Sequence, residues 1–249
     1  MSELDPNSYN VAWIAPLEIE AQSALHMLDE RHRGRFLMGR GDDYVFHAGR
    51  IRHGFRNGPC QPGSEIVPQP WFGLLVGVVA GLPNLSKTPP RDIRLGGVLV
   101  ALPDDESAGL FAYDLGKATG KDGFRPLGFG HVLATTETVV RSAIGGTKLS
   151  APNDAEIFLP FYESIKDREH VTGTFIDPGS GEKLMRNARQ RNELRDKYNI
   201  IGLEMEAAGT MNRIPVGVIR GVCDYGDEQK NKDWQPYAAA MAAAHAKIL

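Results

Sequence analysis

Cysteine is nearly missing. Only Cys60 and Cys223 occur in 249 residues, and they form neither a metal nor a redox spacing. A reducing, cytoplasmic interior is therefore the expected setting. Long apolar runs are missing as well: the longest, Leu74 to Leu82, is far too short to cross a bilayer, and no membrane partner is expected. There is no basic excess. Lys and Arg number 28 against 31 Asp and Glu, a formal net charge of −3, which argues against nucleic acid as a partner. The seven His are scattered without ligand spacing, so no metal is expected. No dinucleotide fingerprint follows any apolar run, and no internal repeat is visible. Residues 1–8 are acidic and polar, lack the pattern of a signal peptide, and are expected to form a disordered N-terminus ahead of one domain over 9–249.

What is present is the composition of a globular domain, 42% hydrophobic and 24% charged, which excludes disorder, collagen and a coiled coil. The apolar segments alternate between two periods. Val11 to Ala15 reads as a short buried strand running into a helix with Leu17, Ala21, Ala24, Leu25 and Leu28 on one face. Leu74 to Val79, Val98 to Leu102 and Val216 to Val222 read as further buried strands, and Asn199 to Leu203 leads towards a helix at Met205 to Ala208. Tyr237 to Leu249 is an Ala-rich helix. Strands apolar on both faces with helices between them indicate a single α/β domain with a mostly parallel, mixed sheet flanked by helices. Two stretches resist this pattern: 52–70, with three Gly and four Pro, and 104–130, which reads as a long Gly- and charge-rich loop.

In such a sheet, ligands bind beyond the carboxyl ends of the strands. The residues at those ends are Glu18 and Glu20, the turn Gly77 to Pro83, Glu204 and Glu206, and Asp224. Each has two readings. Carboxylates in Glu204-Met205-Glu206 either favour the dipole of a helix start or hold the hydroxyls of a ribose. Asp224 is either a turn residue or a general acid. Gly77-Val78 either lets backbone N–H groups approach an anion or sugar, or allows close packing. Arg186, Arg189, Arg191, Arg195 and Lys197 read as a solvated helix face.

The later motifs are less generic. Gly202-Leu-Glu-Met-Glu-Ala-Ala-Gly-Thr-Met-Asn212, Ile219-Arg-Gly-Val-Cys-Asp-Tyr-Gly-Asp227 and the segment Lys230 to Ala238 resemble the purine nucleoside phosphorylase/nucleosidase superfamily. The likeness is greatest to a fungal branch found at the N-terminus of NLR-like proteins. Trp13-Ile-Ala-Pro-Leu-Glu-Ile-Glu20 and Asp92-Ile-Arg-Leu-Gly-Gly-Val98 resemble earlier segments of the same family. The resemblance implies cleavage of the N-glycosidic bond of a purine, adenine above all, nucleoside or nucleotide. It implies Asp224 as acid to the base, Glu206 on the ribose hydroxyls with Met205 beneath the sugar, and Leu184 and Met185 as walls of the base pocket. Glu20 matches the acidic residue that orients the attacking water in hydrolytic members, with Glu18 as the alternative. It further implies no cofactor, water or phosphate as co-substrate, and a homo-oligomer.

Two departures from the family favour water over phosphate. The segment 52–70 stands where the family has a further strand and a Gly-rich helix start, and Gly77-Val78-Val79 carries no hydroxyl. Arg50, Arg52 and Arg56 are the opposing feature, since three arginines could hold phosphate by charge. A phosphate-dependent phosphorylase and a non-catalytic nucleoside-sensing module of an NLR-like protein are the alternative functions.

Overall fold

In the computed structural model the described residues are 2–37, 45–52, 72–103, 109–110, 116–119, 123–126, 136, 138–150, 155–171, 173–179, 189–203, 216–226 and 232–249. Strand β1 (Val11–Ile14) leads into helix α1 (Glu18–Met27), and a small antiparallel pair follows, β2 (Glu30–His32) with β3 (Ala48–Arg50). The long strand β4 (Phe72–Gly81) and β5 (Val98–Val100) come next. A hairpin of β6 (Gly116–Thr119) and β7 (Gly123–Pro126) precedes helices α2 (Thr138–Ser150), α3 (Ala155–Glu163) and α4 (Arg189–Tyr198). The chain closes with β8 (Gly202–Leu203), β9 (Val216–Asp224) and helix α5 (Trp234–Ala246).

Five strands form one sheet in the order β1-β4-β9-β5, with β8 pairing at the end of β4. Strands β1, β4 and β9 run parallel, in register Trp13 with Leu74 and Leu75 with Val218, whereas β5 and β8 are antiparallel. The sheet is thus mixed and mostly parallel, as the apolar runs predict. β4 and β9 are buried along almost their whole length, which is why both read as unbroken apolar segments.

The core lies against both faces. Leu74, Val76 and Ile219 pack with Val140 and Ile144 of α2 and Ala242 and Ala246 of α5. Leu75, Val216 and Val218, on the alternate positions, pack with Ile14, Ala101 and Leu110. Helix α5 is buried at eleven of its thirteen positions, so it has no solvent face and behaves as a core element. Its alanines let it lie directly on β9. A Cβ at Gly221 would stand 1.9 Å from the Ala238 carbonyl oxygen, so glycine is required there.

One expectation is corrected. The stretch 104–130 contains the β6–β7 hairpin, which its Gly-Lys-Ala-Thr and Gly-Phe-Arg-Pro strands hide because neither alternates apolar with polar. In the segment 2–8, Leu4 N–H donates to the Arg35 carbonyl at 2.9 Å, and Asp5 caps a 3₁₀ turn over Pro6–Ser8.

Candidate functional site

The carboxyl ends of the three parallel strands share one edge, and the pleat there brings Gly77 opposite Arg220 and Ala80 opposite Asp224. After β1 the chain turns through Ala15-Pro-Leu17 into α1, placing Glu20 in the first helical turn. Glu20 is 3% exposed, and its carboxylate links three elements. Oε2 accepts from the Leu17 N–H at 2.8 Å, which closes the helix start. Oε1 accepts from the Val78 N–H at 2.7 Å and lies 3.7 Å from Arg220 Nη1. Glu18, its partner in the acidic pair, is exposed.

Gly77 is the reason this junction fits. A Cβ there would stand 2.0 Å from Glu20 Oε1 and 2.4 Å from Arg220 Nη1. The anion that the backbone meets at Gly77 and Val78 is the chain's own Glu20 carboxylate. Arg220 went unmarked in the sequence. The available signal is a lone cation inside the apolar run Val216 to Val222, four residues before Asp224, where a buried charge demands a partner.

Asp224 lies half-buried at the end of β9, just past an irregularity. Val79 pairs with Val222 but Ala80 pairs with Asp224, so Cys223 is an extra residue in the ladder. Such a bulge re-aims the side chains that follow it. Cys223 turns into the cluster of Trp234 and Ala238, its Sγ 3.6 Å from the Val79 carbonyl and 3.5 Å from Asp224 Oδ2. Asp224 Oδ1 accepts from the Gly226 N–H at 2.7 Å, with Gly226 at φ +71°. One carboxyl oxygen thus serves the turn, and the turn orients the other.

Helix α4 corrects the expectation of a solvated basic face at Arg191 and Arg195, while Lys197 is exposed. Arg191 donates through Nη1 to the Tyr225 carbonyl, and Arg195 Nη1 donates to the Pro83 carbonyl at 2.7 Å. Four residues apart, the two side chains share one helix face and tie the turn after β9 and the turn after β4 to the same helix. Beyond α4, Asn199 takes φ +55°, the left-handed geometry of a helix terminus. Arg91 Nη1 donates to the Ile200 carbonyl at 2.9 Å, and Leu82 N–H to the Ile201 carbonyl at 2.8 Å. Burial, then the nearby Arg195, pulls the Arg91 guanidinium below its ordinary proton affinity, with Asp196 opposing.

The remaining expected residues divide simply. Glu204, Met205, Glu206, Leu184, Met185, Arg56 and Arg186 lie outside the described residues. Arg50 sits on β3 with its guanidinium 3.8 Å from Glu30, and the Arg52 N–H donates to Asp29 Oδ2 at 2.7 Å. Among the described residues no group of three or more His, Cys, Asp and Glu is placed to hold a metal ion. The described residues at this edge are an ion pair whose carboxylate accepts from two backbone amides and, four residues further along β9, an oriented carboxyl group.

No family model matches the chain. A protein of Hyaloscypha variabilis described as a nucleotide-binding leucine-rich repeat (NLR)-like protein is 30% identical over 296 residues, covering 99% of this chain but 29% of its own length. Among solved structures, the chain is similar to futalosine hydrolase of Helicobacter pylori strain 26695, with a TM-score of 0.58, 13% identity and 96% of each chain covered. It is also similar to the 5′-methylthioadenosine/S-adenosylhomocysteine nucleosidase of Helicobacter pylori, with a TM-score of 0.56, 11% identity and 96% of each chain covered. A mutant of that enzyme with an Asp replaced by Asn, holding 5′-methylthioadenosine in its active site, gives a TM-score of 0.55 at 11% identity and 96% coverage of each chain. Coverage of almost the whole chain by both enzymes shows that it shares their α/β fold.

Proposed function

We propose that this chain hydrolyses the N-glycosidic bond of a purine nucleoside or nucleotide, with adenine as the base. The observation that carries the proposal is the junction of Glu20, Val78 and Arg220 on the same strand edge as Asp224. When the bond between C1′ and the base nitrogen breaks, positive charge builds on the sugar and negative charge on the base. Asp224 gives its proton to the departing base. Glu20, charged and held from three sides, faces the developing cation and accepts a hydrogen bond from the attacking water. The water oxygen bonds to C1′, and the water's proton restores the acid for the next turnover. Glu206 accepts from the ribose hydroxyls over Met205, and Leu184 and Met185 flank the base.

Water is favoured over phosphate because the N–H groups that would cradle an oxyanion are already engaged. Those of Val78 and Leu17 donate to Glu20. An added phosphate would meet that carboxylate as a like charge. A second reading, a nucleoside-sensing module without turnover, is favoured by the similarity to an NLR-like protein of which this chain spans 29%.

The test is incubation with adenosine, inosine, methylthioadenosine and ATP, with and without phosphate, followed by chromatography of base and sugar. Free base and free ribose at a rate indifferent to phosphate are expected. Ribose 1-phosphate as the main product selects the phosphorylase, and nucleoside binding without base release selects the sensing module. Asp224→Asn should lower kcat by about 10²–10⁴-fold while ligand binding persists, the loss expected of a general acid. Turnover within a few-fold of wild type leaves Asp224 as a turn residue only.

A further inference from the structure

The Tyr225–Gly226 peptide group carries two loads at once. Its carbonyl accepts from Arg191 Nη1, and its N–H donates to Asp224 Oδ1 at 2.7 Å. In a planar trans peptide these two groups point in opposite directions. A cation therefore sits at one end of the unit and the carboxyl group at the other. The guanidinium polarises the carbonyl, which strengthens the N–H on the far side, and it also stops the peptide from rotating. The stem of Arg191 reinforces the same point: a Cβ at Gly226 would stand 3.6 Å from Arg191 Cδ and 3.3 Å from Ala80 Cβ. The turn is pinned between α4 and β4.

We propose that Arg191 is a positioning residue for the reaction, acting on Asp224 through the Tyr225–Gly226 peptide. The inference rests on the reading of Asp224 as the acid. It also assigns a task to α4 beyond packing, because the neighbouring Arg195 holds a different loop through the Pro83 carbonyl and, among the described residues, is not bonded to Asp224 or its turn. The two arginines thus share a helix face and differ in what they hold, so one is a control for the other.

A double-mutant cycle on the base-release assay tests it, using Arg191→Ala, Arg195→Ala and Asp224→Asn singly and in pairs. Arg191→Ala should lower kcat by about 10- to 100-fold, the scale of a small misplacement of a reacting group. KM should stay within about threefold, since binding is not at stake. In the Asp224→Asn background the same substitution should cost less than about twofold, because the group it acts through is already disabled. Arg191→Lys, which keeps a cation near the carbonyl, should recover part of the loss. The cost of Arg195→Ala should be the same in both backgrounds. Equal costs of Arg191→Ala in both backgrounds, a change confined to KM, or coupling to Asp224 as strong for Arg195 would overturn the inference. Full activity of Asp224→Asn alone is a separate result, and it removes the acid assignment itself.

Discussion

At the scale of single residues, the site depends on atoms that are absent. Gly77 leaves room for Glu20 Oε1 and Arg220 Nη1 where a methyl group would be 2.0 and 2.4 Å away. Gly77→Ala should cost about 1–3 kcal/mol, the usual scale of overpacking, and lower turnover because the carboxylate is the atom that must move. Chemical denaturation and base release measure the two effects, and loss of activity without loss of stability would show the carboxylate shifting freely. His26 supplies the residue-scale pH dependence. Burial is the first cause that lowers its pKa, followed by Arg168, Arg31 and His170. Arg168 Nη1 donates to His26 Nδ1 at 3.2 Å, and the rings of His26 and His170 both lie against Phe175. The folded form therefore binds a proton less readily than the unfolded one, so stability falls as pH drops through the ordinary His range near about 6.5. The urea midpoint should decline from pH 7.5 to 5.5, and His26→Gln should flatten that decline; an unchanged slope would remove His26 as its source.

Among elements, α5 and β9 matter most, because their contact sets where the edge of the sheet lies. The Ala238 carbonyl oxygen occupies the position that a Cβ at Gly221 would need, with 1.9 Å between them. A backbone atom cannot swing aside as a side chain can. Gly221→Ala should therefore separate helix from strand and destabilise by about 3 kcal/mol or more. Thermal melting measures it, and a shift below about 2 °C would mean the helix slides without cost. The long strands were legible because burial on both faces leaves an unbroken apolar run, as in Leu74 to Leu82. β6 and β7 were not, since hairpin pairing needs only backbone groups and their side chains carry no period. Nor was the role of α4. Four cations on a polar helix signal water, and nothing in their spacing says that the carbonyls of Pro83 and Tyr225 come within reach. The Glu18/Glu20 ambiguity had a similar origin, because two carboxylates in one helical turn differ only in which way the helix is rotated.

For the whole molecule, legibility followed order along the chain. Motifs near residues 13–20, 92–98, 202–212 and 219–227 come in the order of the segments they resemble, and the likeness of fold to two solved enzymes runs over 96% of the chain. The sequence does not mark Arg220 as a site residue, because its partner, Glu20, is 200 residues away and joins it only when β1, β4 and β9 align.

The Glu20 junction has a consequence for competition. A carboxylate built into the helix start need not be captured from solution, and correctly oriented attached groups reach effective molarities of about 10⁵ M or more. No dissolved anion at millimolar concentration displaces such a group. Removing the attachment reverses the balance. Glu20→Ala should cost about 3–5 kcal/mol, the usual result of breaking a buried ion pair from one side. It would also leave the Leu17 and Val78 amides and the Arg220 guanidinium around a space shaped for a carboxylate. Formate is the small anion that fits it. Millimolar formate should raise the melting temperature of Glu20→Ala while leaving the wild type unmoved, and a variant indifferent to formate would refute the fit. In the native chain the tenant of that space is permanent.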